Sequence, residues 1–320
     1  MQLATVIILF IVGIALTVKG GDLFVDAASW IAEVSGVPKL IVGATIVSLA
    51  TTMPEMLVSV MAAAEGKVDM SIGNAIGSVT ANIGLIMAIS LICMPAVINR
   101  RDYLPKSVLM LLAAVFIVIS GRGGEVGLAV SVALTVIFAL FLWENISSAR
   151  HSMLERHDDE GAERPKPEKR DVLKNLLMFA AGAAGIVIGA DLLVDNGSEL
   201  ARFIGISERI IGVTVIAIGT SLPELITTIT AIVKKESSLS VGNILGANII
   251  DLSLILPISS LVSGRALPIA ATSAALDFPA CLLVGGVAVI PALIAGRFYR
   301  WQGVLLLLIY GGYLYMTCMA

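Results

Sequence analysis

Two blocks of this sequence repeat one pattern in one order, and each sets an acidic residue inside an apolar run of membrane length. The first reads GATIVSLATTMPE over residues 43–55 and SIGNAIGSVTAN over 71–82. The second reads GVTVIAIGTSLPE over 212–224 and SVGNILGANIID over 240–251. Pro54 and Glu55 align with Pro223 and Glu224, Asn74 with Asn243, and Asn82 with Asp251, at one constant offset that holds from Asp22 and Asp191 onward. An ionisable side chain at membrane depth is costly, so its presence marks function by default. Here the chain carries it twice in the same context.

Composition fixes the solvent. Hydrophobic residues make up 58% of the chain and charged ones only 14%, where a soluble domain carries roughly 25% charged. Apolar spans lie near 3–18, 40–64, 70–98, 104–120, 126–143, 175–203, 210–233, 238–262, 266–296 and 303–319. Their lengths predict helices, not barrel strands, and several exceed the ~20 residues of an upright span, which predicts tilt or breaks. Asp22, Asp26, Asp191 and Asp195 interrupt helical patterns that extend the first and sixth spans. Met1 and Gln2 supply no basic leader segment, so the first span reads as retained in the membrane.

Fifteen Lys and Arg residues fall in alternate loops on one side, among them Lys39, Arg100, Arg150, Lys234 and Arg297; five fall on the other, Lys67, Arg122, Arg202, Arg209 and Arg265. The positive-inside rule puts the first group in the cytoplasm of a cell or inner membrane and both termini outside. Residues 148–171 are the only long polar stretch, and Pro165 and Pro167 mark them as a linker between residues 1–147 and 172–320. Five spans return a chain to the opposite side, so the second copy enters upside down. The expected fold is an all-α integral membrane protein of ten transmembrane helices, in two inverted five-helix repeats with discontinuous helices at the midplane. That is a transporter architecture. Cys93, Cys281 and Cys318 read as isolated packing residues, and His151 and His157 as solvated linker residues. No cofactor, nucleic acid or obligatory protein partner is expected.

The repeated blocks carry the chemistry. Proline has no N–H, so Pro54 leaves the carbonyl of Ala50, and Pro223 that of Gly219, without a helical donor. In lipid a freed carbonyl needs a polar partner, and a desolvated cation is one. Thr51 and Thr52 lie near Glu55 in sequence, and Thr220 and Ser221 near Glu224, at spacings that bring each hydroxyl toward its own glutamate. Asn74, Ser78 and Asn82 recur every four residues, as do Asn243, Ala247 and Asp251; Gly73, Gly77, Gly242 and Gly246 beside them read as a helix-packing face. The donor set is all oxygen, with no Cys or His, which selects hard cations and suits Ca²⁺ better than Mg²⁺. Three neighbouring carboxylates repel one another without a bound cation or proton, and that repulsion couples one ion's departure to another's arrival.

The paired blocks GATIVSLATTMPE with GNAIGSVTAN, and GVTVIAIGTSLPE with GNILGANIID, resemble the two alpha repeats of the cation/Ca²⁺ antiporter superfamily, most closely its sodium/calcium exchanger branch of prokaryotic type. The resemblance covers the whole chain. It implies Glu55 and Glu224 as central Ca²⁺ ligands, with main-chain oxygens near Thr51 and Thr220. Asn82 and Asp251 would flank them, and Thr51, Thr52, Ser78, Thr220 and Ser221 would complete Na⁺ sites. The first and sixth helices would slide over the remainder to expose the site to each side in turn. Ala247 stands where the family has serine, which removes one Na⁺ ligand; Ala50 and Met53 replace its usual Gly and Leu; Asp251 leaves K⁺ dependence open.

A Na⁺/Ca²⁺ antiporter is therefore the leading expectation. The alternatives are a Ca²⁺/H⁺ antiporter, since protons also discharge clustered carboxylates, and a K⁺-dependent Na⁺/Ca²⁺ exchanger. The hydroxyls at Thr51, Thr52, Thr220 and Ser221 favour Na⁺. An intramembrane aspartyl protease lacks its GxGD motif here, and a passive channel does not call for inverted repeats with broken helices.

Overall fold

The computed structural model describes residues 3–95, 97–159, 168–205 and 219–319. Among these the regular structure is helical except for one pair of two-residue strands, β1 (Glu125–Val126) and β2 (Leu267–Pro268), which run antiparallel. The helices in chain order are α1 (Leu3–Ser35), α2 (Lys39–Thr51), α3 (Met53–Ala64), α4 (Val68–Cys93), α5 (Arg100–Gly123), α6 (Leu128–Asp159) and α7 (Lys169–Phe203). They continue with α8 (Leu222–Val233), α9 (Ser237–Ser263), α10 (Ser273–Ala295) and α11 (Arg300–Met319). Eight of the described helices are long and apolar enough to cross a membrane, and a ninth span forms when α2 and α3, bent by 48° at their junction, count together. The span expected over 210–233 falls partly outside the described residues; its described end is α8.

Apolar side chains sort by what surrounds them. Ile8, Leu57, Leu177, Leu261 and Leu308 point outward, as lipid-facing residues do. Inside, one continuous cluster joins α4, α5, α6, α9, α10 and α11 through residues such as Ile76, Ile83, Met110, Phe141, Ile244, Ile249, Val284 and Leu306. A second, smaller cluster lies between α1, α2, α7, α8 and α9, built on Phe24, Val42, Val47, Ile186, Ala231 and Leu239. The molecule thus has a central bundle and an outer pair, α1 with α7, which pack together along their length. That pairing depends on absent side chains: a Cβ on Gly20 would lie 2.8 Å from the Ile186 nitrogen, and one on Gly182 only 2.6 Å from the Phe24 nitrogen.

Helix ends follow local chemistry. Asn99 caps α5, accepting from the Arg101 N–H at 3.1 Å while donating to Asp102 Oδ2 at 2.8 Å. Buried Lys106 donates to Glu144 Oε2 at 2.6 Å and to the Asp102 carbonyl at 3.0 Å, tying α5 to α6. Nothing in the sequence pattern alone announces that pair.

The stretch 148–171 was expected to be a linker, partly helical, and helix runs into both its ends: α6 continues to Asp159 and α7 starts at Lys169, and Ser152 donates to the Ser148 carbonyl at 3.0 Å within the first of these. One expectation changes here. Of the cysteines only Cys281 is buried, whereas Cys93 and Cys318 are exposed, because apolar surroundings in lipid include the outer faces of helices. His151 is exposed as expected; His157 lies where no side chain is described.

Candidate ion-binding site

Each acidic block builds the same local structure. Thr52 takes φ −84°, ψ −1° and Ser221 takes φ −87°, ψ 7°; each stands just before a helix whose second residue is Pro54 or Pro223 and whose third is Glu55 or Glu224. The proline costs nothing there, since the first N–H groups of a helix have no internal partner. The carboxylates sit in the positively polarised first turn, where negative charge is favoured. The pattern Thr-x-x-Glu or Ser-x-x-Glu ordinarily closes a capping box. Neither hydroxyl caps its own helix here.

Those hydroxyls serve the site instead. Thr52 Oγ1 donates across the repeat to Glu224 Oε1 at 3.2 Å, and Thr51 Oγ1 donates to Asn243 Oδ1 at 3.2 Å. Thr51 and Thr52, expected near Glu55 of their own half, thus bond to the second half instead. The turn at Thr52 swings both threonines toward α8 and α9. Asn243 also donates to Thr227 Oγ1 at 3.0 Å, so its amide is spent holding α2, α8 and α9 together. Asn74, half-buried, donates to the Glu55 carbonyl at 3.2 Å and to Ser59 Oγ at 2.9 Å, bracing α4 against α3. Thr227 and Ser59 were not among the expected site residues. Their signal was present in the sequence as polar residues one turn beyond each glutamate.

Asn82 and Asp251 open matching stretches of π-helix, Asn82–Met87 and Asp251–Ile255. Such wide turns are rare and recur at functional positions; no composition signal predicts them. The two stretches exchange partners: that of Asn82 packs on α8 and the first part of α9, and that of Asp251 on α3 and the first part of α4. Glu55 comes within electrostatic reach of Glu224 and Asp251, and Asp251 of Glu224. Ser78 and Ser221 are buried with them, and Thr220 is half-buried beside the second break. The first part of the second block, 212–218, lies outside the described residues.

The glycine reading holds where it is described. A Cβ on Gly242 would collide with the Leu40 carbonyl, and one on Gly246 would meet the Ala44 carbonyl at 2.5 Å. Gly73 and Gly77 meet no described atom within 4 Å; the residues that the repeat places opposite them fall in the undescribed stretch.

The sequence matches the family model described as sodium/calcium exchanger protein over residues 5–146 and 174–319. The chain belongs to that family. It is 34% identical to the inner membrane protein YrbG of Escherichia coli, covering 89% of this chain and 87% of that one. It is 29% identical to the sodium/calcium exchanger MaX1 of Methanosarcina acetivorans, over 96% and 97% of the two chains. Among solved structures, the sodium-calcium exchanger NCX_Mj soaked with Na⁺ and Sr²⁺ superposes with a TM-score of 0.81, at 28% identity and 97% coverage of both chains.

What the donors can hold follows from what they lack. Among the described residues, buried side-chain oxygens around the breaks have no hydrogen-bond partner, among them both of Glu55, both of Asp251, Oε2 of Glu224, Oδ1 of Asn82, and the hydroxyls of Ser78 and Ser221. Orphaned buried oxygens are rare and costly. Among the described residues no three acidic, His or Cys side chains converge as a compact metal cluster. A cation held here must therefore draw on neutral oxygens as well as carboxylates, as Ca²⁺ and Na⁺ do.

Proposed function

We propose that this protein exchanges Na⁺ for Ca²⁺ across a cell or inner membrane by alternating access, through ten transmembrane helices arranged as two inverted repeats. The observation that carries the reading is that, among the described residues, Glu55, Asp251, Glu224, Asn82, Ser78 and Ser221 all hold buried oxygens without a hydrogen-bond partner. Buried carboxylates short of donors are unfavourable until a cation arrives, so the site favours ion-loaded states and resists crossing the membrane empty.

Glu55 and Glu224 are the central Ca²⁺ ligands in this reading, aided by the main-chain oxygens near Thr51 and Thr220. Ser78, Asn82, Ser221 and Asp251 form the flanking positions that Na⁺ occupies when Ca²⁺ leaves, with Thr51 and Thr52. Asn74 and Asn243 act as braces, since their amide donors are already engaged. Residues 1–147 and 172–320 are the two repeats, and 148–171 connect them in the cytoplasm, with both termini outside. The exchange is transport, not covalent chemistry.

The test is ⁴⁵Ca²⁺ movement in proteoliposomes with an outward or inward Na⁺ gradient as the sole driving force. Na⁺-driven flux is expected, with a loss of at least ~100-fold in Glu55→Gln and in Glu224→Gln, because each removes a charge the ion requires. Flux that persists in both variants would overturn the site. Flux driven by a pH gradient and indifferent to Na⁺ would instead establish Ca²⁺/H⁺ antiport, which three buried carboxylates also permit. A requirement for K⁺ beside Na⁺ would assign Asp251 to a K⁺-dependent exchanger.

A further inference from the structure

Charge is distributed unequally between the two membrane faces, and the repeat makes the inequality measurable. On one face Lys234, which ends α8, donates to Asp26 Oδ1 of α1 at 2.7 Å and lies 3.6 Å from Asp22 Oδ1 one turn earlier. Beside it Lys39, which opens α2, is 2.6 Å from Glu236 Oε1 and 3.2 Å from Glu33 Oε1. The two helices pack closely at these pairs: a Cβ on Gly21 of α1 would lie 2.6 Å from Thr230 Oγ1 of α8. Deeper in, Ser90 and Ser240 share a hydrogen bond at 3.3 Å.

The repeat assigns each of these residues a counterpart on the opposite face. Asp191 and Asp195 of α7 answer Asp22 and Asp26, but Glu65 answers Lys234. Three carboxylates thus stand where the first face has two carboxylates and an ammonium. Glu65 turns to Lys67, two residues on, at 2.7 Å. Ala190 replaces Gly21 and Met61 replaces Thr230, and α7 makes no run of contacts with α3 comparable to that of α1 with α8. Ser259 and Ser71, the counterparts of Ser90 and Ser240, have no partner among the described residues. The turns themselves correspond: Lys235 holds φ +61° where Gly66 holds φ +78°. The chain keeps a lysine in a conformation that glycine takes more cheaply, and with it the neighbouring Lys234.

We propose that Lys234 with Asp22 and Asp26 is an ionic latch that holds α1 against α8 and shuts that face, and that Glu65, standing at the counterpart of Lys234 opposite Asp191 and Asp195, denies the opposite face the same latch. The proposal rests on the alternating-access reading for its purpose, though not for its geometry. Partly exposed ion pairs are individually weak, so the latch biases the two access states by about two- to fivefold and does not freeze them. Its sign is set: the Glu65 face is the one that opens at rest.

Hydrogen exchange of the full-length protein in lipid nanodiscs reads the latch directly, without transported ions. Lys234→Glu, which installs the residue of the other face, is expected to speed exchange by about two- to fivefold in the ends of α1 and α8. The double variant Asp22→Asn with Asp26→Asn should do the same, and Asp26→Lys added to Lys234→Glu should restore slow exchange, which separates the latch from a general loss of folding. Glu65→Lys should slow exchange where α3 ends near α7. Unchanged exchange in both Lys234→Glu and the aspartate double variant overturns the latch even if Na⁺-driven flux is intact. Absent flux in the unaltered protein, with the exchange pattern as expected, overturns the antiporter reading and leaves the latch standing.

Discussion

The two glutamates that the sequence writes as equals are not equals in the fold. Glu55 and Glu224 follow the same turn, the same proline and the same helix start. Yet Glu224 receives a hydrogen bond from Thr52, reaching over from the first half, while neither oxygen of Glu55 has a donor. The corresponding hydroxyl, Ser221, has no partner. One half therefore lends a donor that the other does not return. Local sequence builds a repeat twice; what each copy does depends on which side chains cross to it.

The largest expected effect concerns ion-dependent stability. Saturating Ca²⁺ at a hundredfold excess over its dissociation constant should stabilise the unaltered protein by about 2.7 kcal/mol, and both Glu55→Gln and Glu224→Gln should abolish that gain in a thermal unfolding assay. In ion-free buffer the two should part. Glu55→Gln should raise the unfolding temperature more, by the equivalent of about 1 kcal/mol, because it removes a buried charge with no donor, whereas Glu224→Gln also disturbs the Thr52 bond. Equal or reversed shifts would break the comparison.

A smaller effect separates the two braces. Asn243→Ala leaves the Thr51 and Thr227 hydroxyls buried without their amide, at a cost of about 1–3 kcal/mol. Asn74→Ala should cost roughly half as much, since that site is only half-buried and water reaches it. Chemical unfolding in detergent ranks them, and a larger loss at Asn74 would show that the first break, not the second, is the rigid one. The smallest effect tests the asymmetry of the flanking positions. Ala247→Ser restores the hydroxyl that its counterpart Ser78 has, and should lower the half-saturating Na⁺ concentration about two- to fivefold, the equivalent of one modest oxygen contact. Ser78→Ala should move it the other way. Opposite signs in Na⁺ titrations of flux would remove Ser78 and position 247 from the Na⁺ sites.

Much of this was legible beforehand because membrane solvent leaves few options. Long apolar runs had to be helices, and a proline followed by glutamate had to mark a break, as the 48° bend at Thr52 bears out. The resemblance of the GTSLPE and GN–G blocks named the family that the matches then showed. What was not legible depends on contacts between distant residues. The reach of Thr52 to Glu224, the pairing of Lys106 with Glu144 and the clasp of Lys39 on Glu236 join positions that no periodicity connects. The π-helical turns at Asn82 and Asp251 depend on a single surplus residue within a continuous apolar run, and composition does not register it. The hydroxyl of Ser221 could be located in advance; its lack of a partner could not.

The contact of Gly242 with the Leu40 carbonyl also bears on how the protein is made. α2 and α9 come from opposite ends of the sequence, and synthesis delivers the N-terminal part first. Glu55 thus reaches the membrane well before Asn243, Asp251 or the glycine face of α9 exists. During that interval the first half holds an acid in lipid with nothing from the second half to complement it. The seating of α9 against α2, glycine against carbonyl, comes only with the second half, and a single added methyl group at Gly242 would block it.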